Sequence, residues 1–195
     1  MTLPGDSIEY ELITEAARQT TVPGLACEVG TRLGGGIQAM IDGFQQPRAI
    51  LSIDPYGDIP YHYSDAHGIR YEMGYGQAMM VEALRTIPQA CADKGHLWIP
   101  LVLEDREFYA RYADGVPVYD CQKAVCNQYA LVHIDGPHDT ESLVLAIEFF
   151  GNRLAVGGCL IFDNIEFFNW DLVENALSPL VRESRGQTKA VYRRV

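Results

Sequence analysis

The chain has 195 residues, of which 48% are hydrophobic and 21% are charged, and its formal net charge is −11. This length and composition predict one globular domain. No apolar run is long enough to span a bilayer, and the first residues lack the basic and apolar regions of a secretory signal. We therefore expect a cytoplasmic protein without a membrane partner. The negative charge also disfavours nucleic acid as a partner, because such binding depends on neutralising phosphates.

The five cysteines are odd in number and include no Cys-x-x-Cys pair. The sequence therefore predicts neither a disulfide framework nor a zinc site. We expect most of these cysteines to be small buried apolar residues.

The first predicted element is a helix over residues 7–19, with Asp6 or Ser7 as its N-cap. Pro23 and the following glycine end it. Residues 1–24 are thus expected to form a helical cap at the N-terminus of the domain.

A glycine-rich loop follows the first predicted strand. An apolar run over residues 25–28 ends in Glu28, and Gly30, Gly34 and Gly35 come before a helical pattern. Glycines let the backbone approach a ligand, and a helix start offers free N–H groups, so this corner suits a nucleotide-like or carboxylate-bearing ligand. The spacing differs from the Gly-x-Gly-x-x-Gly of dinucleotide sites. Glycines also occur at such turns for packing alone.

The second predicted strand, residues 49–54, also ends in an acid. The Asp54 carboxylate has two acceptor oxygens that suit the two hydroxyls of a ribose. The alternative is a turn aspartate, because Pro55 and Gly57 follow it.

Residues 56–76 form a long insertion that is rich in tyrosine and is predicted to be irregular. Long loops in compact domains often act as lids, and tyrosines suit a substrate wall. The tyrosines could equally pack onto the surface of the domain. His62 and His67 do not have a metal-binding spacing.

The next predicted elements are a helix over residues 77–87, which Pro88 kinks or ends, and a third strand over residues 97–103. Pro100 favours an edge position or a strand start. Asp105 could contact the adenine end of a nucleotide-like cofactor or could cap the next helix.

The second half repeats the strand and helix alternation. After a predicted short helix within residues 116–128, a fourth strand over residues 129–135 leads into a helix capped by Asp139 or Thr140. A glycine pair at 157–158 is predicted to turn the chain into a fifth strand that ends at residue 163. This alternation predicts a parallel sheet with ligands at the carboxyl ends of its strands. Four acids would meet at that edge: Glu28, Asp54, Asp135 and Asp163.

Four neighbouring acids require partners that offset their repulsion. Asp135, Asp163 and Asn164 have the hard oxygen ligands that Mg²⁺ prefers. Alternatively, Asp163 and Asn164 cap the next helix, predicted over residues 166–175.

The pattern His-Ile-Asp-Gly-Pro-His, a helix, and then Leu-Ala-Val-Gly-Gly-Cys-Leu-Ile-Phe-Asp-Asn resembles the metal-dependent small-molecule O-methyltransferases. These are class I S-adenosylmethionine-dependent enzymes and include the macrocin-type sugar methyltransferases and, more distantly, the catechol and caffeoyl-CoA groups. The resemblance implies an α/β, Rossmann-like, mostly parallel sheet of seven strands, with a C-terminal antiparallel hairpin and helices on both faces.

By this resemblance S-adenosylmethionine contacts Glu28, Gly30, Gly34 and Asp54, and Asp105 and Asp135 are further candidate cofactor ligands. Asp135, Asp163 and Asn164 match the metal triad, with Mg²⁺ as the expected ion.

The position of the acid proposed as base in some sugar enzymes holds Pro137. His138 is the nearest candidate base, because imidazole titrates near neutral pH. It could equally be a histidine at a helix start that is bonded to the backbone.

The C-terminal residues predict the closing hairpin around Gly186 and Gln187. Its alternating basic residues, which include Lys189, are expected to form a solvated face.

The sequence therefore predicts methyl transfer from S-adenosylmethionine to a hydroxyl of a small molecule, assisted by a divalent ion. A nicotinamide-dependent enzyme and a non-catalytic cofactor-binding protein are alternatives. A nucleic-acid methyltransferase is a third, since Asp54-Pro-Tyr56 is superficially similar to part of an amino-methylating motif. The negative charge argues against it.

Overall fold

The computed structural model describes residues 2–57, 61–64, 70–73, 75–136 and 138–195, and for 61–64 and 70–73 it describes the backbone only. The elements in chain order are α1 (Tyr10–Gln19), β1 (Leu25–Val29), α2 (Gly35–Gly43), β2 (Ala49–Ile53), β3 (Tyr61–Ser64), β4 (Arg70–Met73), α3 (Gln77–Asp93), β5 (Leu97–Leu101), α4 (Asp105–Arg111), β6 (Val116–Tyr119), β7 (Lys123–Cys126), β8 (Tyr129–Ile134), α5 (Thr140–Gly151), β9 (Leu154–Phe162), α6 (Trp170–Ala176), β10 (Leu180–Arg185) and β11 (Ala190–Arg194).

Seven strands form the central sheet, in the order β10-β11-β9-β8-β1-β2-β5. Strands β9, β8, β1, β2 and β5 are parallel, whereas β11 runs antiparallel to both β9 and β10. This order confirms the predicted sheet with its C-terminal antiparallel hairpin. The chain reverses its direction of winding between β1 and β8, and ligands of open α/β sheets bind at such a point.

Both faces of the sheet are covered by helices, as predicted. One buried cluster joins the sheet to α4, α5 and α6 through residues such as Phe108, Phe150 and Val173. The other cluster joins it to α1, α2 and α3, with Ile13 and Met40 among its members. Because β1 and β8 lie between the two clusters, every residue in both strands is buried. Of the described helices, none combines the length and the apolar character needed to cross a membrane.

The sequence analysis expected Pro88 either to kink or to end this helix. Helix α3 does not end there and continues to Asp93. A proline removes one backbone hydrogen bond from a helix. The buried residues Ile87, Ala90 and Cys91 on either side of Pro88 hold this helix against the sheet. Pro100 lies in β5, which is an edge strand as the sequence indicated.

The prediction of a short helix within residues 116–128 was wrong. These residues form the β6–β7 hairpin. In β6, Val116 and Val118 are buried and alternate with the more exposed Pro117 and Tyr119. This period of two is the strand pattern.

The prediction of a turn at Gly157 and Gly158 was also wrong, because both residues lie inside β9. The pairing of β8 with β9 shifts its register in this region. A Cβ atom on Gly158 would lie 2.8 Å from the carbonyl oxygen of Ala130. The glycines therefore permit a strand irregularity and a close backbone approach.

Within the insertion at 56–76, residues 61–64 and 70–73 pair as two antiparallel strands, so the insertion is more regular than expected. The predicted lid or substrate wall depends largely on side chains that lie outside the described residues, including those of His62 and His67. Only the ends of the insertion, at 56–57 and 75–76, are described with their side chains.

Glu9 connects the N-terminal segment to the C-terminal hairpin. It precedes α1, which begins at Tyr10 rather than at the expected Ser7, and it has a left-handed backbone with φ of 61°. Its carboxylate accepts backbone N–H bonds from Gln187 at 2.7 Å, Thr188 at 2.9 Å and Lys189 at 3.1 Å. These bonds, with that of Gln187 the largest cause, lower the pKa of Glu9 below its ordinary value of 4.5.

A carboxylate with a lowered pKa contributes stability above its unfolded pKa and loses it as the pH falls through the folded value. We expect Glu9→Gln to lower the free energy of unfolding by roughly 1 to 2 kcal/mol at pH 7, because an amide oxygen replaces a charged acceptor. The difference from wild type should shrink as the pH falls below about 4. Urea unfolding at several pH values measures this. Glu174→Gln, at an exposed acid, is the control, and an equal effect of both variants would contradict the prediction.

Candidate active site

A cavity of about 660 Å³ lies at the carboxyl ends of the parallel strands. Its walls come from the ends of the strands, from the glycine loop and from the N-terminal segment that includes Ser7 and Tyr10. All but one of the predicted site residues line it: Glu28, Gly30, Asp54, Asp105, Asp135, His138, Asp163 and Asn164. The topology thus brings together side chains that are up to 136 positions apart in the sequence (residue 28 to residue 164).

The glycine loop is shaped by close contacts that side chains would block. Gly30 has a φ of +82°, and a Cβ atom there would lie 2.7 Å from the backbone of Gly136. A Cβ atom on Gly36 would lie 1.8 Å from Glu28 Oε1. Gly35 and Gly36 line the cavity. Gly34, predicted to contact the cofactor, is not among the described lining residues and instead packs beside Ile87 at the start of α2.

Asp54 holds the glycine loop in place. Its Oδ2 accepts the backbone N–H of Arg32 at 2.7 Å, and its Oδ1 accepts that of Tyr56 at 3.0 Å. The pKa of Asp54 is raised overall. Burial is the largest cause, and these backbone bonds oppose it only in part. Each carboxylate oxygen has a second lone pair, so Asp54 can still accept bonds from a ribose.

Glu28 lies inside β1, which continues to Val29, and it pairs with His133 of the neighbouring strand β8. Glu28 Oε1 and His133 Nδ1 are 3.0 Å apart, and both side chains are buried. Burial, followed by the charge of Asp135, raises the pKa of Glu28 well above its ordinary value. Burial lowers the pKa of His133 to about 3. His133 is therefore neutral at pH 7.

Four buried polar atoms of cavity-lining residues have no hydrogen-bond partner within the described part of the chain. Three of them can accept a hydrogen bond, Glu28 Oε2, Thr31 Oγ1 and Asp105 Oδ2, and the fourth, Arg32 Nε, is a donor. Buried polar atoms in native proteins are nearly always bonded, so each of these atoms requires a partner from a ligand or solvent. Asp105 also accepts the N–H of Arg106 through Oδ1, and burial raises its pKa. The three acceptor atoms suit a polar ligand with several donors.

Lys189 contradicts the expected solvated face of the hairpin, because its side chain is fully buried. Its ammonium lies 2.5 Å from Asp163 Oδ2 and 2.6 Å from Ser7 Oγ. Ser7 Oγ also donates to Asp163 Oδ2, at 2.6 Å. The residue directly precedes β11, whose first residue, Ala190, pairs with Phe162 at the end of β9. A buried ion pair thus engages one carboxylate oxygen of the predicted metal ligand Asp163.

The pKa values of Asp135 and Asp163 are shifted in opposite directions. Burial and then the charge of Asp163 raise the pKa of Asp135 well above its ordinary value. Burial would also raise the pKa of Asp163, but interactions with His133, Lys189 and Ser7 lower it overall. Because His133 is neutral at pH 7, the contacts of Lys189 and Ser7 remain as the interactions that favour the carboxylate of Asp163. Asp163 is therefore the ionised acid of the pair.

Asn164 and His138 are in contact at the cavity wall, with His138 Nε2 and Asn164 Oδ1 3.1 Å apart. Asn164 has a left-handed backbone with φ of 52°. Burial lowers the pKa of His138, although the contact with Asn164 opposes this effect. Asp139 caps α5 by accepting the N–H of Ser142, as predicted. Pro137 lies outside the described residues.

The arrangement of the predicted ligands counts against a divalent ion on Asp163 Oδ2. His133, Asp135 and Asp163 each have one donor atom within 4.8 Å of the others. However, Asp163 Oδ2 is already bonded by Lys189 and Ser7, and an ion on that oxygen, at about 2.1 Å, would lie less than about 5 Å from the ammonium. Two unit charges 4 Å apart repel by about 4 kcal/mol at an effective dielectric constant of about 20, and a divalent ion doubles this repulsion.

The sequence interpretation missed four residues of this site. His133 was visible as the one polar residue within an apolar strand, which is a signal for a buried, paired side chain. Ser7 and Lys189 had no such signal, because they meet only through the tertiary structure. Thr31 was hidden within the glycine loop.

No protein-family model matches the sequence, and no curated protein matches it. Solved structures do match. CalS11, a TDP-rhamnose 3'-O-methyltransferase of calicheamicin biosynthesis, is 18% identical, with a TM-score of 0.53 over 94% of this chain and 78% of that one. An O-methyltransferase from Bacillus cereus in complex with SAH is 12% identical, with a TM-score of 0.54 over 98% and 84%. A ribosomal protein L11 methylase from Lactobacillus delbrueckii subsp. bulgaricus is 16% identical, with a TM-score of 0.53 over 100% and 82%.

The names of these neighbours give different methyl acceptors, a TDP-rhamnose in one case and a ribosomal protein in another. The structural similarity therefore does not identify a methyl acceptor for this chain. What they share with this chain is the architecture. The chain has the fold of the class I S-adenosylmethionine-dependent methyltransferases, as the sequence resemblance implied.

We expect Gly36→Ala to destabilise the protein by about 1 to 3 kcal/mol, because its Cβ atom would overlap Glu28 Oε1 and force the glycine loop to move. Gly151→Ala is the matched control at the end of α5. A Cβ atom there would have no described neighbour within 4 Å, so this variant should be neutral or slightly stabilising. Thermal unfolding of both variants tests this, and equal melting temperatures would contradict it.

Proposed function

We propose that this protein transfers a methyl group from S-adenosylmethionine to a hydroxyl of a small molecule. The observation that carries the proposal is that buried acceptor atoms of three cavity-lining residues, Glu28, Thr31 and Asp105, have no hydrogen-bond partner among the described residues. The methyltransferase fold and a neighbour in complex with SAH support the choice of cofactor. The cavity volume lies within the range of small-molecule sites.

The glycine-loop half of the cavity would hold the cofactor. The remaining lone pairs of Asp54 would accept bonds from ribose hydroxyls. Asp105 Oδ2 would accept a bond from the adenine amino group, while Glu28 and Thr31 lie beside the loop that would receive the methionine portion. When bound, S-adenosylmethionine supplies an electrophilic methyl group on a sulfonium.

The other half of the cavity would hold the acceptor. There His138, whose Nε2–H donates to Asn164 Oδ1, would accept the hydroxyl proton on Nδ1 while the acceptor oxygen forms its bond to the methyl carbon and the electrons of the broken C–S bond remain on sulfur. Asn164 orients the His138 ring through the contact of its Oδ1 with Nε2. Alignment of the two reactants in one cavity would provide most of the acceleration.

The sequence resemblance also implies Mg²⁺ at Asp135, Asp163 and Asn164. We leave this ion out of the proposed reaction, because the ion pair of Lys189 with Asp163 counts against its binding. The cytoplasmic location and the small-molecule acceptor rest on the sequence and stay predictions.

A nicotinamide-dependent enzyme is disfavoured by the glycine spacing of the loop. Calorimetry with NADH and with S-adenosylmethionine separates the two alternatives. Binding of NADH alone would refute the proposal. A non-catalytic protein would bind S-adenosylmethionine but would methylate no compound in a panel of sugars, phenols and other alcohols.

We expect Asp105→Ala to raise the dissociation constant for S-adenosylmethionine about tenfold, because the variant loses a buried carboxylate acceptor. Asp114→Ala removes an exposed acid that lies just beyond α4, so it is the matched control and should bind normally. Isothermal titration calorimetry measures both. Unchanged affinity in the folded Asp105 variant would remove this residue from the cofactor site.

We expect His138→Gln to lower kcat about 10²-fold to 10⁴-fold, since glutamine cannot accept the hydroxyl proton. The dissociation constant for S-adenosylmethionine should not change, because His138 lies in the acceptor half. A radiolabelled methyl-transfer assay and calorimetry provide the two readouts. A variant with wild-type kcat would show that another group, or solvent, takes the proton.

A further inference from the structure

We propose that the Lys189 ammonium, rather than a divalent ion, supplies the positive charge at the acceptor end of this cavity. The protein would then bind no divalent ion at Asp135 and Asp163, and its methyl transfer would resist chelators. The part of this inference that concerns turnover rests on the proposed function. The part that concerns metal binding does not.

The first evidence is the environment of the ammonium. Lys189 is fully buried and has three described partners: Asp163 Oδ2 at 2.5 Å, Ser7 Oγ at 2.6 Å and the Tyr10 ring, whose centroid is 5.2 Å away. A buried ammonium is costly unless it is paired and hydrogen-bonded, and here two oxygens and an aromatic face satisfy it. The site is therefore built around this lysine.

The second evidence is the way the backbone of Lys189 is held. Its N–H donates to Glu9 Oε2 at 3.1 Å, and the next residue, Ala190, pairs with Phe162 of β9. Phe162 directly precedes Asp163 in the chain. The sheet register thus places the lysine beside the acid, and the Glu9 contacts fix the segment that carries it. The backbone contacts set where the side chain begins, and the bonds to Asp163 and Ser7 hold its ammonium.

The third evidence is the path from Lys189 to the candidate base. Asp163 accepts Lys189 through Oδ2 and the backbone N–H of Asn164 through Oδ1. Asn164 Oδ1 in turn contacts His138 Nε2. Lys189 itself is not among the described lining residues, whereas Ser7, Asp163 and Asn164 line the cavity. Lys189 is therefore a positioning residue that acts through Asp163.

The metal question is tested on the wild-type protein by electron paramagnetic resonance with Mn²⁺ alone. Bound Mn²⁺ loses the sharp signal of the free aquo ion. We expect the free signal to follow the added Mn²⁺ with no loss to the protein. Stoichiometric loss of the signal would overturn the proposal, as would turnover that stops with EDTA and returns with Mg²⁺.

The role of the lysine is tested with Lys189→Ala. Without the ammonium, Asp135 and Asp163 are left as an open acidic pair, so this variant should gain Mn²⁺ binding. Its kcat should fall at least tenfold, with the KM for S-adenosylmethionine unchanged, and Lys189→Arg should recover part of kcat because it keeps the charge. A folded Lys189→Ala protein that keeps full kcat and binds no Mn²⁺ would overturn the proposal.

Lys123→Ala is the matched control, because Lys123 also lies over an aromatic ring, that of Tyr119, but is exposed on the β6–β7 hairpin. It should change neither kcat nor Mn²⁺ binding. If Lys189→Ala does not fold, the wild-type Mn²⁺ titration still decides the proposal. Failure of the wild-type protein to bind S-adenosylmethionine would refute the proposed function, whereas the Mn²⁺ result would stand on its own.

Discussion

The buried ion pair of Lys189 and Asp163 is the interaction on which the arrangement of the site depends. Desolvation makes such a pair costly unless hydrogen bonds satisfy the remaining polar atoms. Here Ser7 Oγ bonds both partners, and the backbone N–H of Asn164 bonds the second carboxylate oxygen. Three separate parts of the chain therefore meet at one point: the N-terminal segment, the end of β9 and the start of β11. Loss of one partner would leave a buried charge uncompensated.

The polar groups of the cavity residues are of two kinds. Glu28, Thr31 and Asp105 have acceptor atoms without described partners, which suit a ligand that donates hydrogen bonds. Asp163, Asn164 and His138 already bond one another. The first set can gain hydrogen bonds when a ligand binds, whereas the second set is ordered in advance. This difference suits a cofactor site beside a preorganised reaction site.

Local patterns predicted the sheet because each strand is a short apolar run that ends near an acid, and parallel strands present those ends at one edge. The same patterns failed where local and tertiary preferences disagree. Pro88 breaks no helix, because buried neighbours hold α3 to the sheet. The glycines at 157 and 158 lie within β9, since the sheet accepts a shifted register there. The β6–β7 hairpin was missed although Val116 and Val118 alternate with more exposed residues.

The sequence by itself determined the fold class and the gathering of Glu28, Asp54, Asp135 and Asp163 at one edge, because strand ends and sheet topology follow from patterns that are local in the chain. Only the tertiary structure decided which groups neutralise those acids. Lys189 looked like one of several basic residues on a solvated hairpin, and nothing near it in sequence marks it as buried. Its place beside Asp163 is set by the pairing of β11 with β9 and by the contacts of Glu9. Lys189 is 26 positions from Asp163 and 180 positions from Glu9 in the sequence. Contacts over such separations depend on packing that no local pattern encodes.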